Sequence, residues 1–153
     1  MGAAAPLFCL ATLTATALTT PGAKAATYYE LYWDQSGAQC LAETGTSSGV
    51  YLSGCGTTNH SLYWEIPAEG VAGQIINEHS GLCLTADDAG GVYLGACGTN
   101  HVQLWTRNRY DGLYDRYTNG HVPGYLLVRV FNTGAESVEV GSSISYGDNF
   151  WNT

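Results

Sequence analysis

Apolar residues in this chain come in short bursts. Leu82-Cys83-Leu84, Val92-Tyr93-Leu94 and Leu126-Leu127-Val128-Arg129-Val130 are each set between Gly, Asn, Asp or Ser. Runs this short, rich in β-branched and aromatic residues with turn formers on either side, read as strands joined by tight turns. From Ala26 onward no long stretch carries the 3.6-residue period of an amphipathic helix. The pattern predicts an all-β chain. In its middle part strands are predicted over Gly73 to Asn77, Leu82 to Thr85, Val92 to Gly95 and Leu104 to Arg107.

The bursts recur. The stretch Ser80 to Trp105, SGLCLTADDAGGVYLGACGTNHVQLW, repeats the earlier Ser36 to Trp64, SGAQCLAETGTSSGVYLSGCGTTNHSLYW. Cys40 matches Cys83, Val50-Tyr51-Leu52 matches Val92-Tyr93-Leu94, Cys55 matches Cys97, and Asn59-His60 matches Asn100-His101. A third, more divergent copy places Val138-Glu139-Val140-Gly141 at the Val-Tyr-Leu strand, Tyr125-Leu126 at Cys83-Leu84, and Ser143 where Cys97 falls. Trp64, Trp105 and Trp151 close the copies, spaced 41 and 46 residues apart. A period of that size means an array of supersecondary units. Three units of about four strands each, roughly 26–66, 67–107 and 108–153, predict twelve strands that pool their apolar faces about an axis. The closing tryptophans are expected to pack equivalently in each unit.

Residues 7 to 20 are apolar or small, and Ala23-Lys24-Ala25 offers a small-x-small cleavage pattern. Residues 1–25 are therefore expected to be a signal peptide, with the mature chain starting at Ala26. Cys9 leaves with it, and an even set of four cysteines in an exported chain points to disulfides. The repeat register pairs Cys40 with Cys55 and Cys83 with Cys97. The competing arrangement, a zinc site from Cys55, His60, Cys97 and His101, spreads its ligands over separate units rather than a compact finger; no metal or cofactor is expected. Beyond the leader the chain has four Arg and no Lys against thirteen acidic residues. That charge repels phosphate backbones and anionic lipid headgroups, so neither nucleic acid nor, after leader removal, a membrane is an expected partner.

The Cys-Leu pair, the second Cys about fifteen residues on, and the Gln-x-Trp close in Cys97-Gly-Thr-Asn-His-Val-Gln103-Leu-Trp105 resemble the ricin B-type lectin repeat. The resemblance spans essentially the whole chain from residue 26 to 153 and implies a β-trefoil of three four-stranded repeats with pseudo-threefold symmetry. The second unit keeps Gln-x-Trp, while Leu62 and Asn149 take the Gln place in the first and third. Domains of this kind generally bind sugars between the turn after the first Cys strand and the loop before the closing Trp. The family's usual Asp two residues after the first Cys is replaced here by Ala42 and Thr85.

Sugar chemistry calls for a carboxylate or amide that takes neighbouring hydroxyls, and an aromatic face for the apolar side of the ring. The second unit offers Asp87, Asp88, Tyr93, Asn100 and Gln103 as carbohydrate-binding candidates, with His101 beside them; the competing reading of Asp87-Asp88-Ala89-Gly90-Gly91 is a plain hairpin turn. The first unit offers Glu43, Tyr51, Asn59 and His60, and the third Asp148 and Asn149. Trp33 is a further candidate stacking platform. Arg109, Tyr110, Tyr114, Arg116, Tyr117 and Tyr125 form a planar-group cluster that is either barrel cover or a recognition surface.

No Gly-x-Ser-x-Gly elbow, phosphate loop or His-Glu-x-x-His occurs, and the carboxylates are scattered among turns, so no enzymatic activity is expected. The expectation is a secreted, extracellular carbohydrate-binding module. The alternative is a trefoil that has lost sugar binding and acts as a protein-binding or inhibitory module.

Overall fold

The computed structural model describes residues 26–33, 39–45, 49–56, 58–110, 114–121, 126–132, 135–141 and 151–152. The expected leader, Tyr125, Ser143, Asp148 and Asn149 lie outside the described residues.

The strands fall into three sets. The first holds β1 (Tyr28–Glu30) and β2 (Tyr32–Trp33), two halves of one opening strand, then β3 (Gln39–Glu43), β4 (Val50–Gly54) and β5 (Tyr63–Glu65). The second holds β6 (Ala72–Gly73) and β7 (Ile76–Asn77), again two halves, then β8 (Cys83–Ala86), β9 (Val92–Gly95) and β10 (Trp105–Tyr110). The third holds β11 (Tyr114–Asn119), β12 (Leu126–Asn132), β13 (Ala135–Gly141) and β14 (Trp151–Asn152). Counting each split strand once, the described residues give the twelve expected from the sequence.

Every closing strand pairs antiparallel with the opening strand of its own unit and with that of the next. Thus β5 pairs β1 and β7, β10 pairs β6 and β11, and β14 pairs β11 and β2. The ring closes on itself, which is how short strands avoid leaving pairing edges open. The middle strands form three hairpins, β3–β4, β8–β9 and β12–β13. These hairpins touch one another, and a bridge between Gly49 and Tyr93 ties the first to the second.

The repeat is equally visible in the core. Trp64 faces Tyr29, Trp105 faces Gly73 and Trp151 faces Asp115 across the ring. All three tryptophans are fully buried, and each indole Nε1 donates to a leucine carbonyl of its own second strand: Leu41 at 2.9 Å, Leu84 at 2.8 Å and Leu127 at 3.1 Å. Leu31, Ile75 and Tyr117 fill equivalent places on the opening strands and are buried with them. Each indole removes roughly 4–6 kcal/mol of apolar surface from water, and its single polar group is satisfied.

Two sequence expectations change. The Trp151–Leu127 bond, and the pairing of Thr118 with Leu126 where Ile76 pairs with Cys83, put Leu126-Leu127 at the Cys83-Leu84 position rather than Tyr125-Leu126. The period-two pleat decides this, because a one-residue slip would turn Leu127 out of the core. In addition β10 runs past Arg107 to Tyr110, since it pairs with β11 all the way to Tyr114. Among the described residues no helix is long and apolar enough to cross a membrane.

Candidate functional site

The β8–β9 hairpin sends Leu84, Ala86, Val92 and Leu94 into the core, as alternation on a strand requires. Cys83, Thr85, Tyr93 and Gly95 are left on the other face, where the 3-10 turn His101–Gln103 lies over the first two. The Cys83–Cys97 disulfide fastens the start of this loop to β8, and Cys40–Cys55 does the same in the first unit. With Cys55 and Cys97 in disulfides, the four-residue zinc arrangement has no thiolates to use.

Gln103 is the centre of this face. Its Nε2 donates to Thr85 Oγ1 at 3.0 Å and to the Ala96 carbonyl at 2.9 Å. Its Oε1 accepts from the Gly98 amide at 2.7 Å, and Gln74 Nε2 lies 3.5 Å away. The side chain is 5% exposed, so the amide holds the 96–98 loop onto β8 and its hydrogen-bonding capacity is spent on protein. Thr85 in turn donates to the Cys83 carbonyl. In the first unit both partners have changed together: Ala42 and Leu62 occupy the Thr85 and Gln103 places and pack with Cys40 and Cys55 as a small apolar cluster.

Tyr93 stands opposite Thr85 and is 38% exposed. Beside it Gly95 is closely packed: a Cβ there would lie 3.2 Å from Thr85 Oγ1, 3.3 Å from Gln103 Nε2 and 3.8 Å from the Tyr93 ring. The structure thus brings Tyr93 and Gln103 together beside Gly95. Asn100 caps the 3-10 turn through its backbone carbonyl, which accepts from the Gln103 amide, and its side chain makes no capping bond.

Asp87 and Asp88 sit at the far end of the hairpin, with different work. Asp87 Oδ1 accepts from the amides of Ala89 at 2.9 Å and Gly91 at 2.8 Å, and a Cβ on Gly91 would come within 2.7 Å of Oδ2. Gly90 takes a φ of 90° that a side chain would resist. Asp87 is therefore the residue that shapes the turn. Asp88 is exposed and pairs with His121 Nε2 from the third unit.

The first-unit candidates are dispersed. Glu43 is buried and pairs with His79 of the second unit, Tyr51 is exposed, and Asn59 Oδ1 caps the 3-10 turn by accepting from the Ser61 amide. His60 Nδ1 lies 2.9 Å from Glu78 Oε2 and its ring stands edge-on to Tyr63. Those two rings, with Tyr28, Thr27 and Thr58, line a cleft of about 580 Å3. The Tyr63 and Glu78 contribution had no sequence signal, because the two residues meet only through pairing between units.

Within the Arg and Tyr cluster Tyr117 is buried, Tyr114 and Arg116 are half-buried and Arg109 is exposed. Arg107 Nη2 lies 2.8 Å from Asp115 Oδ2, Arg109 Nη1 is 3.7 Å from Oδ1, and Asp115 and Tyr117 are buried. Burial, and then the charge of Asp115, push the Tyr117 hydroxyl well above the ordinary tyrosine range. Burial opposes the Arg107 charge, but the Asp115 hydrogen bond and nearby negative charge outweigh it, and the guanidinium pKa is raised. Side-chain positions for Trp33, Tyr110 and Tyr125 lie outside what is described.

No protein-family model and no curated protein sequence matches the chain. Solved structures do. The Polyporus squamosus lectin, determined with a human-type influenza-binding epitope Neu5Aca2-6Galb1-4GlcNAc, matches at a TM-score of 0.67 and 16% identity over 84% of this chain and 49% of that one. The hemolytic lectin CEL-III matches at 0.67 and 23% identity over 81% of this chain and 29% of that one. The designed threefold-symmetric protein ThreeFoil matches at 0.66 and 22% identity over 81% of this chain and 95% of that one. The chain is a β-trefoil. It spans about half of the Polyporus lectin and under a third of CEL-III, and so corresponds to one part of each.

Proposed function

We propose that this β-trefoil is an exported carbohydrate-binding module of the ricin B-type lectin kind, with no catalytic activity of its own. In this reading residues 1–25 are a leader removed on export, and 26–153 form one domain of three repeats at about 26–66, 67–107 and 108–153. The observation that carries the reading is the outer face of the β8–β9 hairpin. An exposed Tyr93 ring lies beside Gly95, over the buried framework that Thr85 and Gln103 build. An exposed aromatic ring on a rigidly held face is a platform on which the apolar side of a pyranose ring can stack. Tyr93 and Asn100 are the proposed contact residues, Asp88 is held by His121 at the hairpin tip, and Asp87 and Gln103 hold the frame. The lectins among the similar structures support the same direction.

The alternative, a protein-binding trefoil using the Arg and Tyr cluster, draws less support, because Tyr117 is buried and Arg107 and Arg109 engage Asp115.

The test is a glycan-array screen of the protein with both disulfides intact. Binding to a coherent set of glycans is expected, competed by the free sugar and weakened at least tenfold in Tyr93→Ala. A blank array with folded protein would overturn the proposal and direct attention to a protein partner. Single sites of this openness bind weakly, so retention on an immobilised polysaccharide should exceed affinity for the free sugar wherever more than one site engages.

A further inference from the structure

We propose a second saccharide site in the cleft where the opening strand meets the first closing turn, taking a neutral hexopyranose unit. The inference rests on the reading of the chain as a carbohydrate binder and adds a place that neither the repeat motif nor the β8–β9 face supplies.

The cleft is shallow and open to solvent, with a volume of about 580 Å3. Tyr28 pairs with Glu65, and Tyr63 with Glu30, so the two tyrosines lie diagonally on one face of the β1–β5 ladder. Tyr28 is 40% exposed, which leaves its ring available for stacking. The His60 ring packs against Tyr63 at a centroid distance of 6.1 Å and 61° between planes. Glu78 arrives from the β7–β8 turn of the second unit. Its backbone amide donates to the Tyr63 carbonyl at 2.8 Å, and its carboxylate meets His60 Nδ1 at 2.9 Å. The carboxylate is thereby aimed, and with about four acceptor positions it can take a pair of vicinal hydroxyls beyond the imidazole contact. Thr27 and Thr58 add two more hydroxyls to the wall.

The charge selects among sugars. Among the described residues the lining carries one carboxylate, Glu78, and no Lys or Arg; in the mature chain the Ala26 α-amino group would balance that charge, so the cleft suits neutral sugars, and the net charge of −8 on the chain disfavours anionic ones. The place is also separate from the first. β1 and β9 are opposite edges of the β1-β5-β7-β8-β9 sheet, with the cleft at the β1 edge and Tyr93 at the other.

The experiment is a 1H–15N NMR titration of the disulfide-intact protein with D-galactose, D-glucose, D-mannose and N-acetylglucosamine, and with N-acetylneuraminic acid as the anionic comparison. Saturable shifts are expected at Thr27, Tyr28, Thr58, His60 and Glu78 with at least one neutral sugar. Tyr28→Ala and Glu78→Gln should each weaken that binding at least tenfold. Val71→Ala, an exposed residue lining neither place, should leave it unchanged. Shifts confined to Tyr93, Gly95 and Asn100 would overturn this site and leave the lectin reading standing. So would preferential binding of N-acetylneuraminic acid in the cleft. A glycan array with no binding, together with no saturable shift from any of these sugars, would overturn both.

Discussion

At the scale of single residues, the second and first units solve one packing problem in two ways. Thr85 and Gln103 form a buried polar pair that also ties down the Ala96 and Gly98 backbone, whereas Ala42 and Leu62 fill the same volume with apolar atoms. Gln103→Leu should therefore cost about 2 kcal/mol, because it strands buried partners rather than removing a bond cleanly. Adding Thr85→Ala should recover part of that loss, since the double variant approaches the first unit's solution. Urea unfolding of the two single variants and the double variant checks the cycle, and simple additivity would show the two sites to be uncoupled. The Gln-x-Trp motif was legible in the sequence, but its meaning was not. A glutamine spent on the Thr85 side chain and the Ala96 and Gly98 backbone looks the same in one dimension as a glutamine offered to a sugar. Asp87 shows the opposite case, since the run Asp87-Asp88-Ala89-Gly90-Gly91 already signals a turn and its bonds to Ala89 and Gly91 make one.

Among the elements, neighbouring units are fastened by a repeated device. Asn77 Nδ2 donates to the Ser61 carbonyl at 2.9 Å and Asn119 Nδ2 to the Val102 carbonyl at 3.0 Å, each reaching the 3-10 turn of the unit before. Two residues further on, His79 meets Glu43 and His121 meets Asp88, each on the hairpin of the unit before. The two histidine contacts differ in burial: Glu43 is 4% exposed and Asp88 is 91% exposed. His79→Ala should destabilise by about 1–3 kcal/mol because a buried carboxylate loses its partner. His121→Ala should cost less than ~1 kcal/mol, the usual range for a solvated pair. Denaturation midpoints of the two variants test the order, and equal losses would mean that Glu43 is solvated in solution. The Asn-x-His spacing of Asn77-Glu78-His79 and Asn119-Gly120-His121 stands in the sequence, but its partners lie in other units and no local pattern names them.

For the molecule as a whole, closing the ring buries charge beside a phenol. Asp115 occupies the barrel place taken by Tyr29 and Gly73 in the other units, and Tyr117 follows it into the core with a hydroxyl that has no hydrogen-bond partner among the described residues. Folded Tyr117 holds its proton to higher pH than the unfolded chain, where tyrosine ionises near ~10. Its contribution to stability is complete below that pH and is lost above it, because only the unfolded state then releases the proton. Tyr117→Phe should alter stability at pH 7 by less than about 1 kcal/mol. It should also flatten the decline in urea midpoint on going above pH 10, and an unchanged slope would place the loss elsewhere.

The repeat, the strands and the equivalence of the three tryptophans were determined by the sequence alone, because local alternation and a fixed period survive in one dimension. Only the tertiary structure decided that Leu127 rather than Leu126 follows Leu84, that Gln103 faces inward, and that Tyr28, Tyr63 and Glu78 share a cleft. Those outcomes depend on pairing between strands far apart in the chain, and on which partner a side chain finds once the ring has closed.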